Sequence, residues 1–121
     1  MTQVLIIEDD ETLRTVYEFV IKKSGYTVAT ARNGQGCLEL LERFSPKVVL
    51  LDMLMPVKNG MDFLKEAKVR SRFPDTAVIL LSNLSESALL EQAIKLGARE
   101  TLLKANIIPA DLIKIVAKYV N

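Results

Sequence analysis

The chain has a single cysteine, Cys37, no histidine, and few aromatic residues (6%) among its 121 residues. One cysteine excludes an internal disulfide and is typical of proteins in a reducing, intracellular compartment. Because aromatic side chains are scarce, the core must be built from valine, isoleucine and leucine. Half of the sequence is hydrophobic, which is enough for one core, and the length suits a single domain over residues 1–121.

An excess of charge of one sign is also missing, because 16 basic residues face 15 acidic ones and the net charge is +1. This balance gives no electrostatic basis for direct binding to nucleic acid or to an anionic membrane. The N-terminal MTQVLIIEDD turns acidic after a short apolar run and lacks the basic start of a signal peptide. No uninterrupted apolar stretch approaches the length of a membrane span. We therefore expect a cytoplasmic protein without direct nucleic-acid or membrane contacts.

Short apolar segments alternate with amphipathic segments along the whole chain. Strands are predicted at Gln3–Ile7, Tyr26–Ala31, Val48–Leu51, Ala77–Leu81 and Glu100–Leu103. After each strand, apolar residues recur at spacings of three and four, which predicts a helix with one buried face. In the first of these helices Tyr17 belongs to the buried stripe, and Asp10 stands at the N-cap position. Five such units with near-continuous apolar strands predict an α/β fold, a doubly wound parallel sheet with helices on both faces.

Polar residues follow the apolar strands at the point where each strand ends. Glu8 and Asp9 follow the first strand, and Asp52 follows the third. Ligands bind beyond the carboxyl ends of the strands in such sheets, and carboxylates held together there favour a hard cation such as Mg²⁺. We predict Asp9 and Asp52 as direct ligands, with Glu8 acting through a water. The alternative is that Asp10 caps the helix while Glu8 and Asp9 are only solvated.

Two further residues at this edge suggest what chemistry the acids perform. A carboxylate beside Mg²⁺ can attack a phosphoryl group and form an acyl phosphate, here on Asp52. Lys104, after the fifth strand, offers a compact positive charge for one phosphoryl oxygen, and Ser82, after the fourth, offers a hydroxyl for another. Alone, Lys104 is most simply a solvated lysine at a strand end, and Ser82 a loop residue that starts the turn into the fourth helix. Their combination with the acids favours a phosphoryl-transfer site.

Four segments resemble the receiver domain of bacterial two-component response regulators, similar in size to the single-domain chemotaxis regulator. VLIIEDDETLR is similar to the family's acidic opening, and VVLLDMLMPVKNG to its phosphorylation segment, with proline four and glycine eight after the aspartate. VILLSN matches the Ser/Thr position, and GARETLLKA the Gly-Ala…Lys segment. The resemblance covers essentially the whole chain, and it implies a flavodoxin-like fold with strand order 2-1-3-4-5.

The resemblance also implies a signalling reaction at the edge of the sheet. It implies phosphorylation of Asp52 by a sensor histidine kinase or a histidine phosphotransfer protein, followed by self-catalysed hydrolysis. It implies Mg²⁺ held by Glu8, Asp9, Asp52 and the backbone carbonyl of Leu54. Because the chain has no histidine, the phosphoryl donor must be another protein or a small phosphodonor. Lys104 and Ser82 are implied to assist the transfer.

The output implied by the resemblance depends on a switch between Ser82 and position 101. Movement of these two residues shifts the face formed by the predicted fourth helix, fifth strand and fifth helix. The shifted face then controls an output domain or a downstream protein. Position 101 is usually aromatic, but here it is Thr101. The family also usually has a cis proline after the lysine, where this chain has Ala105; a cis bond there costs about 2.5–4 kcal/mol, so the bond is either strained or trans. These departures motivate the alternative of a pseudo-receiver, an interaction module that is not phosphorylated.

Overall fold

The computed structural model of the protein describes residues 2–53, 59–83 and 87–120, apart from the side chains at positions 37 and 87. The strands of this part are β1 (Val4–Ile7), β2 (Val28–Ala31), β3 (Val48–Asp52), β4 (Ala77–Ser82) and β5 (Ala98–Leu103). Its helices are α1 (Glu11–Lys23), α2 (Cys37–Phe44), α3 (Gly60–Ala67), α4 (Val69–Arg72), α5 (Ser87–Lys95) and α6 (Pro109–Val120). A short 3-10 turn, Lys104–Asn106, connects β5 to α6.

The five strands form one parallel sheet in the order β2-β1-β3-β4-β5. The predicted doubly wound fold and its strand order are therefore confirmed. In the register of the sheet, Asp52 of β3 lies beside Leu81 of β4, and Ser82 lies beside Leu103 of β5. The ends of three neighbouring strands thus reach the same edge.

Both faces of the sheet are covered because the central strands are apolar at every position except their carboxyl ends, Asp52 and Ser82. Side chains alternate between the two faces, so Leu5 and Ile7 pack on the side of α2, α3 and α5, whereas Val4 and Ile6 pack toward α1 and α6. Fully burying one such side chain contributes about 1.5–3 kcal/mol, and this stabilisation fixes the strand ends in place. No helix in the described part of the chain is long and apolar enough to cross a membrane.

The boundaries of several elements differ from those predicted. β3 and β4 each run one residue further, so Asp52 and Ser82 belong to the strands themselves. β5 begins at Ala98 and contains a bulge at Arg99, which has no partner in the register with β4. The short helix α4 was not predicted, because four residues give too few positions for a helical period. The predicted fourth and fifth helices are therefore α5 and α6.

Candidate functional site

A cavity of about 380 Å³ opens at the carboxyl edge of the sheet, and we call it the acid pocket. Its lining residues come from the ends of β1, β3 and β4, from the start of α1, and from the turn after β5. They are Glu8, Asp9, Asp10, Leu13, Tyr17, Asp52, Asn83, Lys104 and Ala105. The parallel sheet brings these distant segments together, as the position of the polar strand ends predicts.

The ammonium of Lys104 binds two buried carboxylates in the acid pocket. Lys104 Nζ donates to Glu8 Oε1 at 2.7 Å and to Asp52 Oδ1 at 3.2 Å. Glu8 has no solvent exposure and Asp52 is 3% exposed, while the Lys104 side chain is 12% exposed. Two acids therefore share one cation in a site that is largely removed from water.

Hydrogen bonds at the β1–α1 turn hold Glu8 in this position. The backbone N–H of Asp10 donates to Glu8 Oε2 at 3.3 Å, and Arg14 Nη1 donates to the carbonyl oxygen of Glu8 at 2.9 Å. Asp10 Oδ1 accepts from the backbone N–H of Leu13 at 2.9 Å, so Asp10 is the N-cap of α1. The cap function predicted for Asp10 is confirmed, whereas Glu8 is buried and ion-paired instead of solvated.

The shared charges shift the proton affinities of the pocket. Burial, the neighbouring Glu8 carboxyl group and a hydrogen bond with Asp9 together raise the pKa of Asp52 from 3.8 to about 7, because the charge of Lys104 opposes them only in part. Burial alone lowers the pKa of Lys104, but hydrogen bonds and charge attraction from Glu8 and Asp52 outweigh it, and the net change is upward. The lysine therefore stays charged near neutral pH, where Asp52 is poised between its two forms.

The carboxylates of the pocket are close enough to share a metal ion. Glu8, Asp9 and Asp52 each offer an oxygen atom, and these oxygens all lie within 4.8 Å of one another. Such a set of hard oxygen donors suits Mg²⁺, and Asp9 is the exposed member of the set. The fourth predicted ligand, the carbonyl of Leu54, lies outside the described residues.

Ser82 and Thr101, the predicted switch residues, lie on β4 and β5. Ser82 is buried at the end of β4, and its hydroxyl donates to Met53 Sδ at 3.2 Å. Thr101 is half-buried and lies beside Leu80 in the register of the sheet. The structure thus gathers Glu8, Asp9, Asp52 and Lys104 into one pocket and sets Ser82 on the adjacent strand, and the switch itself remains a prediction.

The residue after Lys104 does not prevent the lysine from reaching the acids. The peptide bond between Lys104 and Ala105 is trans, as are all the bonds in the described part of the chain. Lys104 starts the 3-10 turn at the end of β5, and from there its side chain reaches Glu8 and Asp52. Of the two possibilities left open by Ala105, the structure has the trans bond.

Gly60, eight residues after Asp52, allows α3 to approach the end of β3. A Cβ atom at this position would lie 3.0 Å from the carbonyl oxygen of Asp52, 3.0 Å from Met53 Cα and 2.8 Å from a methyl carbon of Leu80. The backbone N–H of Gly60 also donates to the carbonyl oxygen of Met53 at 2.8 Å. Any larger residue would push the helix away from the strand that carries Asp52.

Tyr17, which lines the pocket, was predicted only as part of the core. Tyr17 packs in the apolar layer beneath α1, as its helical spacing indicates, but it also lines the acid pocket. A tyrosine in an apolar stripe carries a hydroxyl that needs a polar neighbour, and this feature of the sequence was the available signal.

Comparison with known proteins identifies the family to which the chain is similar. Residues 4–117 match the family model of the response regulator receiver domain. The chain is 34% identical over 103 residues to the chemotaxis protein CheY of Thermotoga maritima, with 84% of each protein covered. It is 33% identical over 102 residues to the Regulator of RpoS of Escherichia coli, of which it spans only 30%.

Solved structures agree with these sequence matches. The chemotaxis protein CheY4 of Vibrio cholerae superposes with a TM-score of 0.87 at 25% identity, covering 98% of both chains. A response regulator receiver domain protein from Clostridium thermocellum superposes with a TM-score of 0.85 at 31% identity, covering all of this chain and 95% of the other. The resemblance seen in the four sequence segments is therefore confirmed, and the chain belongs to the response regulator receiver domain family of two-component signalling.

Proposed function

We propose that this receiver domain, over residues 1–121, accepts a phosphoryl group on Asp52 in a Mg²⁺-dependent reaction and passes the signal to a protein partner. The observation that carries the proposal is the buried carboxylate of Asp52, held by Lys104 inside an acid pocket with Glu8 and Asp9. A structural ion pair needs one acid for one lysine. Three acids around a single lysine leave an excess of negative charge that suits a divalent cation.

The residues that would hold the ion are Glu8, Asp9 and Asp52, together with the carbonyl of Leu54 that the family resemblance implies. When bound, Mg²⁺ supplies positive charge that neutralises the carboxylates and the phosphoryl oxygens during transfer. Lys104 Nζ lies closer to Glu8 than to Asp52, and Glu8 also belongs to the cluster of acids that would hold the ion. Glu8 would therefore serve both as a partner of the lysine and as a member of the metal site.

The proposed transfer starts with an oxygen of the Asp52 carboxylate, which attacks the phosphorus atom of a phosphohistidine on the donor protein. The new O–P bond forms as the P–N bond breaks, and the departing imidazole nitrogen keeps the electron pair and takes up a proton. Lys104 Nζ, beside Asp52 Oδ1, stabilises the charge on the phosphoryl oxygens. In the later hydrolysis a water oxygen attacks the phosphorus atom as the O–P bond to Asp52 breaks, so inorganic phosphate leaves and Asp52 returns to a free carboxylate.

The proposed output follows from the position of Ser82. Its hydroxyl now donates a hydrogen bond to Met53 Sδ, and after phosphorylation it donates to a phosphoryl oxygen instead. This change of acceptor shifts β4 and the segment that leads into α5. With Thr101 at the usual aromatic position, the change reaches the face of α5, β5 and α6 without an aromatic rotamer. The partners are a sensor histidine kinase or phosphotransfer protein on the input side and an output domain or downstream protein, and the proposed site of action is the cytoplasm.

Beryllofluoride, a mimic of the phosphoryl group, provides a test against the pseudo-receiver alternative favoured by Thr101 and Ala105. We expect saturable beryllofluoride binding by calorimetry in the presence of Mg²⁺, because the acid pocket supplies both the carboxylate and the cation site. Asp52→Asn should bind none, whereas Asp75→Asn, which alters an exposed acid, should bind as the wild type does. A folded wild-type protein that binds Mg²⁺ but no beryllofluoride would instead favour the pseudo-receiver.

A further inference from the structure

Tyr17 faces the acid pocket with a hydroxyl group that the proposed reaction does not use. The residue is 6% exposed, lies in the second turn of α1, and lines the pocket together with Glu8, Asp52 and Lys104. No hydrogen bond of its hydroxyl is found among the described residues, where no fully buried side-chain polar atom lacks a partner, so the hydroxyl oxygen reaches solvent. Because a tyrosine hydroxyl at the edge of a core usually bonds a polar neighbour, this phenol can act as an acceptor or a donor beside a charged site.

Tyr17 and Lys104 stand together between two cavities. A second cavity of about 170 Å³ lies beside the acid pocket, and its apolar wall includes Val16, Ile108 and Leu112. Tyr17, Lys104 and Leu13 line both cavities. Burial raises the pKa of Tyr17 while the charge of Lys104 opposes this rise, which is consistent with an ammonium close to the phenol.

Metal binding creates a need that Tyr17 can meet. The ammonium of Lys104 is held by oxygens of Glu8 and Asp52, and the same two side chains belong to the metal site. A divalent cation competes with Lys104 for these carboxylates and repels its charge. An ammonium has three N–H donors, and each one left unpaired in a largely buried site is costly. A neutral oxygen nearby satisfies a donor without competing for the metal.

We propose that Tyr17 is a positioning residue for Lys104: its hydroxyl oxygen accepts a hydrogen bond from the ammonium when a divalent cation occupies the acid pocket. The lysine is then kept at the pocket wall, where it can meet a phosphoryl oxygen on Asp52. This inference rests on the proposed function, and it adds a residue that acts through Lys104.

A double-mutant cycle measured with Mg²⁺ alone tests the inference. Tyr17→Phe keeps the ring and removes only the hydroxyl, and we expect it to weaken Mg²⁺ binding by about fivefold, the equivalent of one hydrogen bond. In a Lys104→Met background the same change should have no effect, because the ammonium that uses the hydroxyl is gone. Tyr26→Phe, which alters a half-buried tyrosine in the second core layer, is the matched control and should bind as the wild type does.

Near-ultraviolet absorption gives a second reading that does not depend on the Lys104 variant. The chain has no tryptophan, so its near-ultraviolet absorption comes mainly from its tyrosines. A change in this absorption on adding Mg²⁺ should appear in the wild type and in Tyr26→Phe but not in Tyr17→Phe. Unaltered Mg²⁺ binding by Tyr17→Phe, or an equal loss in both lysine backgrounds, would overturn the inference and leave the proposed function intact. A wild-type protein that binds no Mg²⁺ would overturn both.

Discussion

Replacing Lys104 by methionine is expected to lower the free energy of unfolding at pH 8 by about 3–5 kcal/mol, the usual cost of removing one partner from a buried ion pair. The reason is that Glu8 and Asp52 would be left as neighbouring buried carboxylates without a cation. Lys104 itself stays charged at pH 8, because its pKa is raised above the ordinary value of 10.5. Its contribution to stability is lost only as the pH rises through this raised pKa. Urea unfolding of both proteins at pH 8 measures the difference.

The pH and the metal should both modify this loss in a defined direction. At pH 5 the loss should be smaller, because Asp52, with a pKa of about 7, is then protonated in the folded protein and needs no cation. Saturating Mg²⁺ should restore most of the stability at pH 8 by replacing the missing charge. Lys118→Met is the matched control, since it breaks an exposed pair with Glu100 and should have a far smaller effect. Equal losses in the two variants would contradict the account.

Replacing Asp52 by asparagine should have the opposite effect on stability at alkaline pH. A pKa raised from 3.8 to about 7 corresponds to about 4 kcal/mol of stability that the wild type loses by ionising this buried group. The loss develops between these two values, because the unfolded chain ionises first while the folded carboxyl group keeps its proton. Asparagine cannot ionise, so the variant should be more stable at pH 8 by up to about 4 kcal/mol, less the value of the lost bond to Lys104.

Urea unfolding between pH 4 and pH 8 in the absence of divalent cations measures this effect. The curves of the wild type and Asp52→Asn should nearly coincide at pH 4 and separate steadily up to pH 7. Asp75→Asn, at an exposed position, should follow the wild type throughout. A difference between the two proteins that has the same size at every pH would show that Asp52 carries no raised pKa.

The sheet and the edge that holds the site were predictable because both depend on patterns that are local in sequence. Apolar runs ending in Asp52 and Ser82 place these residues at strand ends. Parallel strands align those ends through their backbones, independently of the side-chain conformations. The lysine was predicted at the same edge for the same reason. Its partners were not, because the bond to Glu8 joins residues 96 positions apart and depends on which rotamer reaches which oxygen.

The features that escaped prediction are those decided by packing between elements. Spacing placed Tyr17 in the core, correctly, but the point at which its hydroxyl emerges depends on how α1 crosses the sheet. The requirement for glycine at position 60 follows from the contact of α3 with the backbone of Asp52, which no periodicity encodes. Both features were visible only once the helices were placed on the sheet.

The central claim is that Asp52 is the phosphoryl acceptor, and intact-protein mass spectrometry after incubation with acetyl phosphate tests it most directly. The account predicts that the wild type and Asp75→Asn gain the mass of one phosphoryl group with Mg²⁺ and none with a chelator. Asp52→Asn should gain none in either condition, although it remains folded. A phosphoryl group on Asp52→Asn, or none on the wild type with Mg²⁺, would contradict the account.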